Sequence, residues 1–195
     1  MDKVVELQNV SMNYHTLNGE TQAIKNLSLK VERGEFVSIV GPSGCGKSTL
    51  LSLMAGLIKP SSGRVYINNE LVEGPSSNVG YMLQRDHLFG WRTIFHNTTI
   101  GLEIQNKMNK DTIKNAERLL DEYGLGDFKN YYPKQLSGGM RQRAALIRTL
   151  ATNPDILLLD EPFSALDYQT RLAISEEIWL IIKKEQKTAV LVTHD

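Results

Sequence analysis

The stretch Phe36-Val37-Ser38-Ile39-Val40-Gly41-Pro42-Ser43-Gly44-Cys45-Gly46-Lys47-Ser48-Thr49 decides the fold. Its first five residues are an apolar run that reads as a strand. A helical stretch follows from Lys47 to Ala55, and Gly56 is placed to end it. Strand, glycine-rich loop and helix in that order make a phosphate-binding loop, or P-loop. Gly41, Gly44 and Gly46 let backbone N–H groups turn inward with no Cβ in the way, so the segment from Gly41 through Pro42, Ser43 and Cys45 to Gly46 cradles phosphates at a helix N-terminus. Lys47 then reaches the β- and γ-phosphates. The Ser48 hydroxyl has the position that coordinates Mg2+, and Thr49 bonds phosphate from the next backbone step. A glycine-rich turn with a chance lysine would not fill every fixed position of the motif in this setting.

A magnesium nucleotide site needs a carboxylate opposite the loop. Ile156-Leu157-Leu158-Leu159-Asp160-Glu161-Pro162 supplies it at the end of a continuous apolar run, the pattern of a parallel strand buried on both faces. Asp160 is placed to hold the metal and Glu161 to polarise the attacking water. By itself, an Asp-Glu pair is also an ordinary solvated strand end; beside an intact P-loop the catalytic reading is preferred.

Leu136-Ser137-Gly138-Gly139-Met140-Arg141-Gln142-Arg143 resembles the signature sequence of ATP-binding cassette proteins, which other P-loop enzymes lack. Ser164-Ala165-Leu166-Asp167 is similar to that family's D-loop, Gln84 after Tyr81-Met82-Leu83 to its Q-loop, and Val192-Thr193-His194-Asp195 to its histidine switch. Tyr14 stands where the family places an adenine-stacking aromatic, a residue that could equally be half-buried packing. The resemblance runs from Val4 to Asp195.

The resemblance implies an ATPase. Gln84 would contact the metal and the attacking water, and His194 the γ-phosphate, positioning roles suited to a loose phosphoryl transition state. Ser137, Gly138 and Gly139 open a helix running through Arg141 to Leu150, so their N–H groups offer a second anion site. In the family that site faces the ATP of a second cassette, so two subunits sandwich two nucleotides head to tail. Asp167 would cross the same interface.

Length and pattern predict an α/β protein: a P-loop NTPase core with a mixed sheet, an N-terminal antiparallel β subdomain and an inserted helical subdomain. Short strands are predicted at 4–7, 27–31, 36–40, 65–67 and 79–83, a helix at 110–123 with Ile113, Ala116, Leu119, Leu120 and Tyr123 on one face and Gly124 as stop, a helix at 169–184, and a strand at 189–193. The expected boundaries are a core of about 1–84 and 152–195 around a helical subdomain of about 85–151, in one nucleotide-binding domain. Family members usually continue beyond the histidine switch, so a chain ending at Asp195 is expected to lack their C-terminal segment.

The 22 basic and 22 acidic residues give a formal net charge of +0, which offers no electrostatic case for nucleic acid. Cys45 is the single cysteine, so no intramolecular disulfide can form. The N-terminus lacks the apolar core of a signal peptide, and no apolar run approaches the ~18 residues of a membrane span.

The segment from 85 to 151 holds neither a long coiled coil nor a zinc module, which argues against the family's DNA-repair branch and for a transporter subunit. Leu88-Phe89-Gly90-Trp91-Arg92-Thr93-Ile94 is similar to the region after the Q-loop in importers of the nitrate, sulfonate and taurine group, and nitrate, sulfonate, taurine or a thiamine precursor as cargo would leave nearly the same motifs. Leu88, Phe89, Trp91 and Ile94 are expected to line a groove for a helix of a transmembrane permease, which would put the chain on the cytoplasmic side of the cell membrane. The alternatives are that these aromatics pack the subdomain's core, that the chain is a soluble regulatory or assembly ATPase, or that it binds ATP without turnover.

Overall fold

A computed structural model describes residues 3–16, 19–162 and 168–194. The chain divides into two compact units. The first comprises Met1–Tyr81, Asp155–Glu161 and Glu185–Asp195, and the second Met82–Pro154 and Pro162–Lys184.

The strands are β1 (Lys3–Thr16), β2 (Gly19–Glu32), β3 (Phe36–Val40), β4 (Ser62–Ile67), β5 (Glu70–Leu71), β6 (Val79–Met82), β7 (Ile156–Asp160) and β8 (Thr188–Thr193). They form two sheets of order β2-β1-β4-β5 and β3-β8-β7-β6. The first sheet is antiparallel. In the second, β3 and β7 both run parallel to β8, with Val37 opposite Val190 and Leu158 opposite Val190. Helix α1 (Lys47–Met54) brings Leu50, Leu51, Leu53 and Met54 into one core with Val5, Leu7 and Val65 of the antiparallel sheet and Ile156, Leu158 and Val190 of the parallel one. Ile156, Leu157, Leu158 and Leu159 have no accessible surface. Each such side chain contributes about 1.5–3 kcal/mol on burial, so β7 carries Asp160 on a rigid support.

Strands β1 and β2 are each 14 residues long, where alternation predicts only 4–7 and 27–31. Bulges explain the difference. Asn9 (φ +49°) and Asn26 (φ +45°) sit in the left-handed region, and the register slips between Leu7 and Val10. The bulged N–H groups are satisfied by hydroxyls: Asn9 N–H donates to Ser28 Oγ (3.0 Å) and Asn26 N–H to Ser11 Oγ (2.9 Å). The strands continue while the period-2 pattern breaks.

The second unit contains α2 (Ile94–Ile104), α3 (Lys110–Glu122), α4 (Gly138–Ala151) and α5 (Tyr168–Lys184). Helix α3 matches its predicted span, with a capping box in which Asn109 Oδ1 accepts from Asp111 and Thr112 N–H and Thr112 Oγ1 accepts from Asn109 N–H. Helix α2 has no counterpart in the sequence expectation. Its buried residues include Asn97, Thr98 and Thr99, so it lacks an apolar stripe. Gly101 of α2 lies where a Cβ would stand 2.5 Å from Thr152 Cγ2, so only glycine lets α2 approach the end of α4 this closely.

Candidate nucleotide site

The first unit gathers the P-loop, the end of β7 and His194. The loop needs glycine at Gly46, where φ is +99° and a Cβ would lie 2.4 Å from the Ala23 carbonyl oxygen. Gly46 is also the N-cap of α1, with no side chain to close the helix start. Lys47 is buried, and its Nζ donates to the carbonyls of Gly41 (2.7 Å) and Pro42 (3.0 Å), which holds the ammonium inside the loop. Cys45 is exposed.

Ser48 Oγ donates to Asp160 Oδ1 at 3.0 Å. Asp160 is only 6% exposed, so its carboxylate requires donors. The second comes from Tyr81, whose hydroxyl donates to Oδ2 at 3.2 Å. Burial, with the Asp160 charge beside it, pushes the Tyr81 phenol from 10 up to about 12, so the phenol keeps its proton at neutral pH.

Glu161 follows at φ +43°, a left-handed conformation that costs a non-glycine residue about 1–3 kcal/mol. Its N–H donates to the Val192 carbonyl at 3.0 Å. That bond, in a chain turning left, directs the carboxylate to Lys47 Nζ (Oε1, 3.7 Å) and His194 Nδ1 (Oε2, 3.1 Å). Thus Lys47, Ser48, Asp160, Glu161 and His194 stand together. Tyr14, 39% exposed, shares a hydrogen bond of 3.2 Å with Thr49 Oγ1.

Gln84 and the signature segment belong to the second unit. Ser137 is the N-cap of α4 and its Oγ accepts from Met140 N–H at 3.3 Å. Residues 86 and 87, just after Gln84, are pinned to α4. Arg141 Nε donates to Asp86 Oδ2 (3.0 Å), and Arg148 donates to the carbonyls of Asp86 (2.7 Å) and His87 (2.8 Å). Sequence reading missed both arginines, since their partners lie 55 and more residues away. Asp167 and the rest of the D-loop lie outside the described residues.

Of the groove residues, Phe89 packs edge-to-face on Trp91 (centroids 5.1 Å apart) and Trp91 is 75% exposed. Ile94 has to be corrected: at 0% exposure it begins α2 as a core side chain and lines no surface. The loop before it is held by Asn97. Its Oδ1 accepts from Phe89 N–H (2.7 Å), and its Nδ2 donates to the carbonyls of Phe89 (3.1 Å), Arg92 (3.1 Å) and Thr93 (3.0 Å).

A glycine-rich loop between β3 and α1, with a buried lysine and an Asp-Glu pair at the tip of a parallel strand, defines a P-loop nucleoside triphosphatase. Residues 24–164 match the family model described as ABC transporter. The chain is 50% identical to the uncharacterized ABC transporter ATP-binding protein YtlC of Bacillus subtilis, over 98% of its own length and 74% of that protein's. It is 40% identical to the taurine import ATP-binding protein TauB of Ruegeria pomeroyi, over 97% and 71% of the two lengths. Among solved structures, the dimeric post-hydrolysis cassette MJ0796 bound to ADP and Pi superposes with a TM-score of 0.83 at 37% identity, over 98% of this chain and 88% of that one. The chain belongs to the ABC transporter family, as an ATP-binding and ATP-hydrolysing cassette.

Proposed function

We propose that this cassette energises a membrane importer of small solutes of the nitrate, sulfonate, taurine or thiamine-precursor class, working as one of two cassettes on the cytoplasmic face of the membrane beneath a permease. The observation that carries the hydrolysis in this reading is the placement of both Glu161 oxygens, one toward Lys47 and one toward His194. The taurine relative and the segment around Trp91 support the direction and cargo class. No helix among the described residues is long and apolar enough to cross a membrane, which fits transport through separate subunits.

The donors fit Mg2+. A hydroxyl and a carboxylate 3.0 Å apart are hard oxygen ligands. Among the described residues no cluster of three His, Cys, Asp or Glu side chains offers a cage for another metal. Ser48 and Asp160 would hold the ion, with Gln84 as a further ligand. When bound, it neutralises charge on the phosphate oxygens.

The protein groups divide the remaining work. The N–H groups of the loop and Lys47 bind and orient the β- and γ-phosphates. Glu161 accepts the proton of the attacking water as the γ-phosphoryl transfers, and His194, with Nδ1 against Glu161, holds that carboxylate in place beside the γ-phosphate. Tyr14 supports the adenine side. Ser137, Gly138 and Gly139 would meet the nucleotide of the second cassette, with Asp167 crossing between the sites, and Leu88, Phe89 and Trp91 would receive the permease helix.

The test is ATP turnover and sedimentation of wild type and Glu161→Gln. The variant should bind ATP, accumulate as an ATP-held dimer and turn over at least ~100-fold more slowly. Turnover at the wild-type rate would remove Glu161 from the mechanism.

A further inference from the structure

We infer that Tyr81 is a positioning residue for the carboxylate that would hold the metal: its phenol holds Oδ2 of Asp160 so that Oδ1 keeps the orientation in which it meets Ser48, the other residue that would hold the magnesium ion of the nucleotide. The inference rests on the magnesium nucleotide reading of the site.

Asp160 ends β7, with β6 and β8 as its neighbours in the sheet. Its carboxylate accepts one hydrogen bond on each oxygen, from Ser48 Oγ at 3.0 Å and from Tyr81 Oη at 3.2 Å. Rotation of the carboxylate would break both bonds together, so the two donors fix its plane. The donors are not equivalent. Ser48 is itself a candidate metal ligand, and once its oxygen coordinates the ion its hold on Asp160 changes. Tyr81 stands on the opposite oxygen and keeps its grip whatever Ser48 does.

A buried carboxylate with a single mobile donor would turn toward whichever partner is strongest. Outer partners of metal-ligating carboxylates act in this way, and their loss costs roughly 10- to 100-fold in metal affinity.

The test is binding of a fluorescent ATP analogue to the full chain, first in EDTA and then in a Mg2+ titration, for wild type, Tyr81→Phe and Asp160→Asn, with thermal melts of each in EDTA. Tyr81→Phe should bind like wild type in EDTA, with its melt lowered only by the loss of the one hydrogen bond to Asp160, yet need roughly tenfold more Mg2+ to reach half of the metal-dependent gain. An unchanged Mg2+ midpoint overturns the inference. Equal loss of binding in EDTA, or a lowered melt with that loss, also overturns it, because the phenol would then be building the pocket. Asp160→Asn separates the two levels of the argument. It should abolish the Mg2+ response, and a wild-type response there would sink the magnesium reading itself.

Discussion

The imidazole Nδ1 of His194 lies 3.1 Å from Glu161 Oε2, and the residue that joins them to the P-loop is Lys47, 3.7 Å from the other Glu161 oxygen. One carboxylate thus bridges an ammonium and an imidazole that lie far apart in the first unit's sequence. The arrangement leaves Glu161 little rotational freedom, and its left-handed backbone sets the direction from which it enters.

If His194 fixes that carboxylate, His194→Ala should leave ATP binding near wild type and reduce turnover by about 100-fold, within the range of a lost acid–base contribution. Nucleotide titration beside a steady-state phosphate-release assay measures both. An equal loss in binding and turnover would point to collapse of the pocket.

Gly46→Ala should be far more damaging than its single methyl group suggests. The new Cβ would stand 2.4 Å from the Ala23 carbonyl oxygen at a φ of +99°, so either β2 or the loop must move. Destabilisation of about 1–3 kcal/mol with loss of nucleotide binding is expected, and a denaturant melt with a binding assay checks it.

Asn97 and Trp91 should separate cleanly. Asn97→Ala strips four hydrogen bonds from the loop at 89–93 and should cost about 1–3 kcal/mol, with faster hydrogen exchange at the Phe89 amide. Trp91→Ala, at an exposed position, should shift stability by no more than ~0.5 kcal/mol and weaken copurification with permease subunits. A Trp91 variant that copurifies at full yield would remove it from the docking surface.

The Tyr81 phenol predicts a pH signature. Its pKa is raised above the ordinary value, so its contribution to stability is complete below pH 10 and is lost as pH rises toward about 12. An ultraviolet tyrosine titration should show one phenol ionising near pH 12, and Tyr81→Phe should delete that step.

The candidate nucleotide site is readable in the sequence because each of its parts is a local motif, although the parts lie far apart along the chain. Gly41 to Thr49 fill one motif, and the apolar run before Asp160 marks a buried strand wherever it falls. Less could be read where polarity lies inside. Asn97, Thr98 and Thr99 hide α2 by occupying its buried face, and Asn9 and Asn26 hide half of the first hairpin by turning it through bulges. Ile94 was misplaced because an isoleucine beside aromatics looks the same in sequence whether it faces solvent or core. The reach of Arg141 and Arg148 to residues 86 and 87, and of Tyr81 to Asp160, spans 55 to 79 residues, beyond any local pattern.

Helix α1 starts at a glycine, which can offer no oxygen to the first amides of the helix. In most helices the sequence itself supplies that oxygen. Here the phosphates of the substrate would do so, which makes ATP the missing first piece of a secondary-structure element as well as the molecule consumed. Heat resistance of the first unit should therefore rise with ATP concentration by mass action, and a melting curve becomes a direct gauge of how much of the protein is charged for work.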